Sequence, residues 1–126
     1  MENLKSDSVV IIPTYNEIEN ISNIITAVIS LPQRFDILIV DDASPDGTAN
    51  AVREMQQKYN NRISLISREG KLGLGTAYIT GFKWALKQGY DYIFEMDADF
   101  SHNPQDLLKL YETCKNEADV AIGSRY

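Results

Sequence analysis

The side chains best suited to chemistry in this chain are carboxylates, and the most telling are Asp97 and Asp99, separated only by Ala98. In an extended segment, residues i and i+2 point to the same side, so both carboxylates can reach one point. Two carboxylates held together repel, and one takes up a proton unless a cation lies between them. Hard oxygen donors select Mg²⁺ or Mn²⁺, ions that complete their shells with water and substrate phosphate. The competing role is a solvated acidic turn at the head of the following helix. Asp41-Asp42 is a second acidic pair, again at the end of an apolar run. Adjacent strand residues face opposite ways, so one of the two is expected to enter a site. Asp42 is the candidate, as acceptor for a nucleobase N–H or as a metal ligand. Asp46, ahead of Gly47-Thr48, is placed to cap a helix and takes that structural role.

A glycine-rich stretch, Gly70-Lys71-Leu72-Gly73-Leu74-Gly75, invites comparison with phosphate-binding loops. It lacks the Gly-Lys-Ser/Thr ending of a Walker loop. Tyr78 stands where a dinucleotide fingerprint begun at Gly73 needs a small residue. The stretch therefore reads as a flexible loop over the site, with Arg68 and Lys71 available to a diphosphate.

These residues need elements to position them. Short apolar runs rich in β-branched residues lie at Val9–Ile12, Ile37–Val40, Ile63–Ile66, Tyr92–Met96 and Val120–Ile122. They show little apolar/polar alternation, as expected of strands buried on both faces of a parallel sheet. Between them run segments of helical period. Ile21, Ile24, Ile25, Val28 and Ile29 form one apolar stripe, with Asn16 and Glu19 offering a cap at its start. A second helix is expected over Thr48 to Tyr59. A third is expected over Thr76 to Gln88, closed by Gly89. A fourth follows Asn103-Pro104, with Leu107, Leu108, Tyr111 and Cys114 inward. The order βαβαβαβαβ predicts an α/β fold: three layers around a mostly parallel sheet, Rossmann-like in character.

In such sheets ligands bind outside the carboxyl ends of the strands. The unusual residues all fall there: Pro13 to Glu17, Asp41 to Thr48, Arg68 to Gly75, Asp97 to Asn103 and Gly123 to Tyr126. The opposite ends carry ordinary turns, so one edge of the sheet is marked as the site.

Composition narrows the classes. The 126 residues suit one domain. Twelve basic against 18 acidic side chains give a net charge of −6, which argues against non-specific nucleic-acid binding. One cysteine, Cys114, and one histidine, His102, exclude a disulfide framework and a Cys/His metal cluster. No run reaches the roughly 18 apolar residues that span a bilayer. Met1 to Asp7 lacks a signal-peptide core, so a cytoplasmic chain is expected.

In this order the motifs resemble the inverting family-2 glycosyltransferases, and among them the polyprenol (dolichol) monophosphate mannosyltransferases. The matching stretches are Ile12 to Glu17, Val40 to Thr48, Lys71 to Tyr78, Met96 to Asp99 and Gly123 to Tyr126. The resemblance implies the nucleotide-binding half of an A-type glycosyltransferase fold. It implies a base and ribose pocket at Pro13, Tyr15, Glu17, Val40 and Asp42. Asp97 and Asp99 would be the metal pair, with Ala98 lining the nucleotide-sugar site through its backbone. Some relatives carry Gln at the position of Ser101, where it can ligate the metal; a water would take that place here. Arg125 would meet a phosphate. The implied reaction moves mannose from GDP-mannose to a polyprenyl phosphate lipid with inversion, dependent on Mg²⁺ or Mn²⁺, at the cytoplasmic face of a membrane. Tyr15 as a core aromatic and Glu17 as a first-turn helix acid remain the structural alternatives.

Such catalytic domains are longer than this chain, so residues 1–126 are expected to form the nucleotide-sugar-binding N-terminal portion of one. Apolar surface bared by truncation would favour self-association. Three rivals stand beside this reading: a family-2 enzyme using a UDP-sugar, a non-catalytic nucleotide-sugar-binding module, and a response-regulator receiver domain. The last is suggested by Ile37 to Asp42 and Tyr92 to Asp97, but Asp42 and Asp97 lie 55 residues apart, too far for that family, and no Lys-Pro follows the last apolar run.

Overall fold

Four of the expected strands form in the computed structural model, which describes residues 6–59, 62–69, 73–98 and 103–117, with backbone alone at 74 and 114–117. They are β1 (Ser8–Thr14), β2 (Asp36–Asp41), β3 (Ile63–Ser67) and β4 (Tyr92–Glu95). The helices are α1 (Ile21–Ile29), α2 (Thr48–Lys58), α3 (Leu74–Gln88) and α4 (Asp106–Glu117). The run Val120–Ile122 and the side chain of Cys114 lie outside the described residues.

All strand pairs are parallel, in the order β3-β2-β1-β4. The chain steps outward from β1 to β3, then returns to lay β4 on the other side of β1. Right-handed crossovers place helices on opposite faces when the stepping direction reverses. Accordingly α1 and α2 pack with α4 against one face, around Val10, Ile12, Ile37, Ile39 and Phe94. α3 covers the other face, over Val9, Ile11, Leu38, Val40 and Ile93. Both faces of β1 and β2 are thus buried, which is why their sequences show no polar alternation. The reversal opens the crevice between the carboxyl ends of β1 and β4, the position where sheets of this kind bind ligands.

Two details fix the approach to that crevice. Pro13 sits in a central strand, where a missing N–H normally breaks a ladder. Ile11 gives its carbonyl to the Met96 N–H, and Thr14 gives its carbonyl to the Asp42 N–H. By alternation, Pro13 turns its nitrogen toward the β4 side, beyond the Ile11↔Glu95 end of that pairing, so no ladder bond is lost. Gly81 is the second. A Cβ there would lie 2.7 Å from Ile11 Cγ2, so only glycine lets α3 lie this close to β1.

The opposite edge is less ordinary than its turns suggest. Asp36 is buried, accepts from the Tyr90 hydroxyl at 2.8 Å and the Ser6 N–H at 3.1 Å, and lies 3.6 and 3.7 Å from Arg34 and Arg62. No run of turn residues signals this group, because its partners come from distant parts of the chain.

Candidate functional site

Strand parity decides which side chains meet. In β2, Ile37 and Ile39 face the three-helix layer while Leu38 and Val40 face α3. The same alternation sends Asp41 to the first side and Asp42 to the second. Asp41 is fully buried and structural: it accepts from Thr14 Oγ1 at 2.7 Å, Ser44 Oγ at 2.6 Å and the Ser44 N–H at 3.0 Å. Asp42 emerges on the α3 side, 6% exposed. In β4, Phe94 and Met96 pack toward the three-helix layer and Ile93 toward α3. Asp97 therefore turns to α3, and Ala98 is buried on the other side, leaving its backbone rather than its methyl for any ligand.

The loops after β1 and β2 are fastened together. Three successive backbone N–H groups of the first loop donate to three side chains of the second. Asn16 donates to Ser44 Oγ at 2.8 Å, Glu17 to Thr48 Oγ1 at 3.0 Å and Ile18 to Asp46 Oδ2 at 3.1 Å. This overturns the expected Asn16/Glu19 cap. The N–H groups near Asn16 are already taken, Asn16 itself is left-handed at φ 58°, and the helix starts later, at Ile21 after Asn20. Asp46 is not the N-cap of α2, which is Gly47 at φ 94° with no side-chain cap bond; from the position before it, Asp46 Oδ1 accepts from the Thr48 N–H at 3.0 Å while Oδ2 makes the tie to Ile18. Desolvation pushes its carboxyl up, but hydrogen bonds from the Thr48 hydroxyl and from the Ile18 and Thr48 N–H groups outweigh that and hold its pKa below the usual value. Ala43, at φ 54°, is also left-handed, a costly conformation for a residue with a Cβ. The fastened loops hold Tyr15 36% exposed at the site edge, and Pro13 beside Val40 in register.

Arg68 is not the diphosphate cation expected from the sequence. Its Nε lies 2.6 Å from Asp42 Oδ1 and its Nη2 2.9 Å from Oδ2, a bidentate pair with both side chains under 10% exposed. The guanidinium also donates to Thr76 Oγ1 at 3.1 Å and the Gly73 carbonyl at 3.1 Å. Its donors are spent on holding Asp42 and the start of α3. Thr76 and Thr80, one helical turn apart, both face Arg68; their spacing was the available signal. Tyr78, on the same two turns, donates its hydroxyl to Asp97 Oδ1 at 2.9 Å. The residue that spoils a dinucleotide fingerprint thus has a polar task of its own.

Lys71, Asp99, Ser101 and Arg125 lie outside the described residues. Among the described residues no group of three or more His, Cys, Asp or Glu side chains is placed to hold a metal. Asp97 is a hard oxygen donor at the switch crevice, with Oδ1 held by Tyr78 and no hydrogen-bond donor on Oδ2 among the described residues. Mg²⁺ and Mn²⁺ take only one or two carboxylates beside phosphate and water, so the donor type fits such an ion.

With the sheet order and this edge in place, comparison with known proteins gives the class. The model of the family described as Glycosyl transferase family 2 matches residues 9–126, and the chain belongs to that family. It is 46% identical over 119 residues to the polyprenol monophosphomannose synthase of Mycolicibacterium smegmatis, covering 94% of this chain and 45% of that protein. It is 45% identical to the undecaprenyl-phosphate mannosyltransferase of Micrococcus luteus, over 91% of this chain and 46% of that protein. It is 43% identical to the dolichol-phosphate mannosyltransferase of Pyrococcus furiosus, over 93% of this chain and 32% of that protein. The chain thus spans less than half the length of these curated relatives.

Among solved structures, the mannosyltransferase PcManGT from Pyrobaculum calidifontis, in complex with GDP-Man and Mn²⁺, superposes with a TM-score of 0.60 at 28% identity, over 65% of this chain and 25% of that one. S. aureus TarS superposes with a TM-score of 0.67 at 24% identity, over 90% of this chain and 32% of that one, a likeness of fold. The sheet is that of the A-type glycosyltransferases. No described helix is long and apolar enough to cross a membrane.

Proposed function

We propose that this chain is the donor-binding part of a polyprenyl-phosphate mannosyltransferase, taking GDP-mannose with a divalent ion. The observation that carries the reading is Asp97: a carboxylate at the crevice between β1 and β4, fixed by Tyr78, in a chain 43–46% identical to three enzymes named for mannosyl transfer or mannosyl-lipid synthesis. The GDP-Man and Mn²⁺ of the Pyrobaculum structure support the choice of donor and ion.

In this reading Pro13, Tyr15, Glu17, Val40 and Asp42 border the base and ribose. The Arg68 pair holds the Asp42 carboxylate in place. Asp97 and Asp99 would hold the ion, with Ser101 the doubtful third ligand, and Arg125 would meet a phosphate. A phosphate oxygen of the acceptor attacks C1 of mannose as the C1–O bond to GDP breaks. The electron pair leaves with the diphosphate, and the configuration at C1 inverts. That oxygen is already anionic at neutral pH, so no side chain need take a proton from it. The ion, when bound, supplies Lewis-acid stabilisation of the charge gathering on GDP.

The test is metal-dependent binding of GDP-mannose to Asp97→Asn and Asp99→Asn. Each variant is expected to lose most of the Mn²⁺-dependent affinity. Unchanged metal dependence in both would contradict the reading.

A further inference from the structure

We propose that Tyr78 is a positioning residue for Asp97, one that aims its carboxylate rather than touching substrate. This inference rests on the reading of Asp97 as the carboxylate facing the ion and the diphosphate.

Three observations meet at this residue. First, the geometry is direct: the Tyr78 hydroxyl lies 2.9 Å from Asp97 Oδ1, within the ordinary range of an O–H···O hydrogen bond. With one oxygen held, rotation of the carboxylate about its Cβ–Cγ bond is restricted, and Oδ2 is left as the oxygen to present. Second, the helix bearing Tyr78 is itself fixed in depth. Gly81, one turn later, lies so close to Ile11 that no side chain fits between them, which sets how far the phenol reaches over the sheet. Third, the same two turns reach the other acidic group of the site. Thr76 and Thr80 face Arg68, which grips Asp42. α3 therefore bears on both Asp42 and Asp97, on the first by bracing Arg68 and on the second directly through Tyr78.

A packing role alone would ask only for the ring. Tyr78 is half-buried against the apolar cluster on that face, and phenylalanine would serve there equally. The hydroxyl has a separate purpose, because partners that orient a metal-binding carboxylate tune affinity without touching the ion. The separation is measurable.

GDP affinity of the whole chain is measured by titration calorimetry with Mn²⁺ and again with EDTA, for the wild type and Tyr78→Phe. The readout is the enhancement, the ratio of the two dissociation constants, which a packing role would not move. Loss of the hydroxyl is expected to lower that enhancement about 10-fold. In the Asp97→Asn background the Phe substitution is expected to cause no further loss, since Tyr78 acts through Asp97. Equal enhancement in wild type and Tyr78→Phe overturns the proposal and leaves the donor-site reading standing. No Mn²⁺ enhancement in the wild type overturns both. If the Phe variant does not fold, 3-fluorotyrosine placed at position 78 alone keeps the shape. Its fluorine resonance is expected to shift with Mg²⁺ and GDP together and not with GDP in EDTA. A resonance that stays put, or moves equally in both, overturns the proposal.

Discussion

Replacing Arg68 by methionine keeps the aliphatic stem and removes the charge that faces Asp42. The two side chains are 9% and 8% exposed and are joined by hydrogen bonds of 2.6 and 2.9 Å. Removing one partner of a buried pair costs about 3–5 kcal/mol, because the other charge stays buried without its counterion. With the two side chains 9% and 8% exposed rather than fully dry, the expected loss lies near the low end, about 3 kcal/mol. With an unfolding entropy of about 2.1 cal/mol/K per residue, that loss lowers Tm by roughly 11 °C in a chain of 126 residues. Asp42→Asn in the same chain removes the stranded charge. The double variant is therefore expected to be more stable than the sum of single losses predicts, with a coupling of about 2 kcal/mol. Urea and thermal unfolding of the four proteins measure this. A loss below about 0.5 kcal/mol for Arg68→Met, the value for an exposed pair, would refute the argument. So would strict additivity of the two losses.

Gly81→Ala sets overpacking of about 1–3 kcal/mol against a helix-propensity gain of about 1 kcal/mol. Because the new methyl would meet Ile11 Cγ2, near the backbone of a buried strand, net destabilisation of about 1 kcal/mol is expected in urea; a more stable variant would contradict the close approach of α3. Asp46 has its pKa depressed by folding, so its contribution is present above its unfolded value, near 3.8, and is lost as pH falls through the lower folded value. Wild type is accordingly expected to exceed Asp46→Asn in stability at pH 7, with the gap closing toward pH 3; an equal gap at both pH values would show that the Asp46 charge is not involved.

The layers and the edge that holds the site were legible in the sequence for definite reasons. Ile, Val and Leu runs such as Val9–Ile12 and Ile37–Val40 can be buried on both faces only in a covered parallel sheet, and they form β1 and β2. Gly89 closes α3 in the left-handed conformation its type predicts. Local patterns failed where the partner is distant. Arg68 read as a free cation because Asp42 lies 26 residues earlier and the two meet only when β2 and β3 pair. Asn16 read as a helix cap because nothing local reveals that Ser44, Asp46 and Thr48 capture the N–H groups around it. The α3 helix begins at Leu74, two residues before the expected Thr76, and the fourth begins at Asp106, after a turn held by the Asn103 carbonyl. Helix ends depend on capping contacts, which the apolar period does not encode.

The proposed binding of a guanosine diphosphate sugar at this edge of the sheet, through a divalent ion, is open to direct measurement. Calorimetric titration of the chain with GDP, UDP and GDP-mannose, each with Mn²⁺ and with EDTA, tests it most directly. Binding is expected to prefer GDP over UDP and to weaken at least tenfold when EDTA removes the ion. Selective binding of UDP, or GDP binding indifferent to the ion, would contradict it.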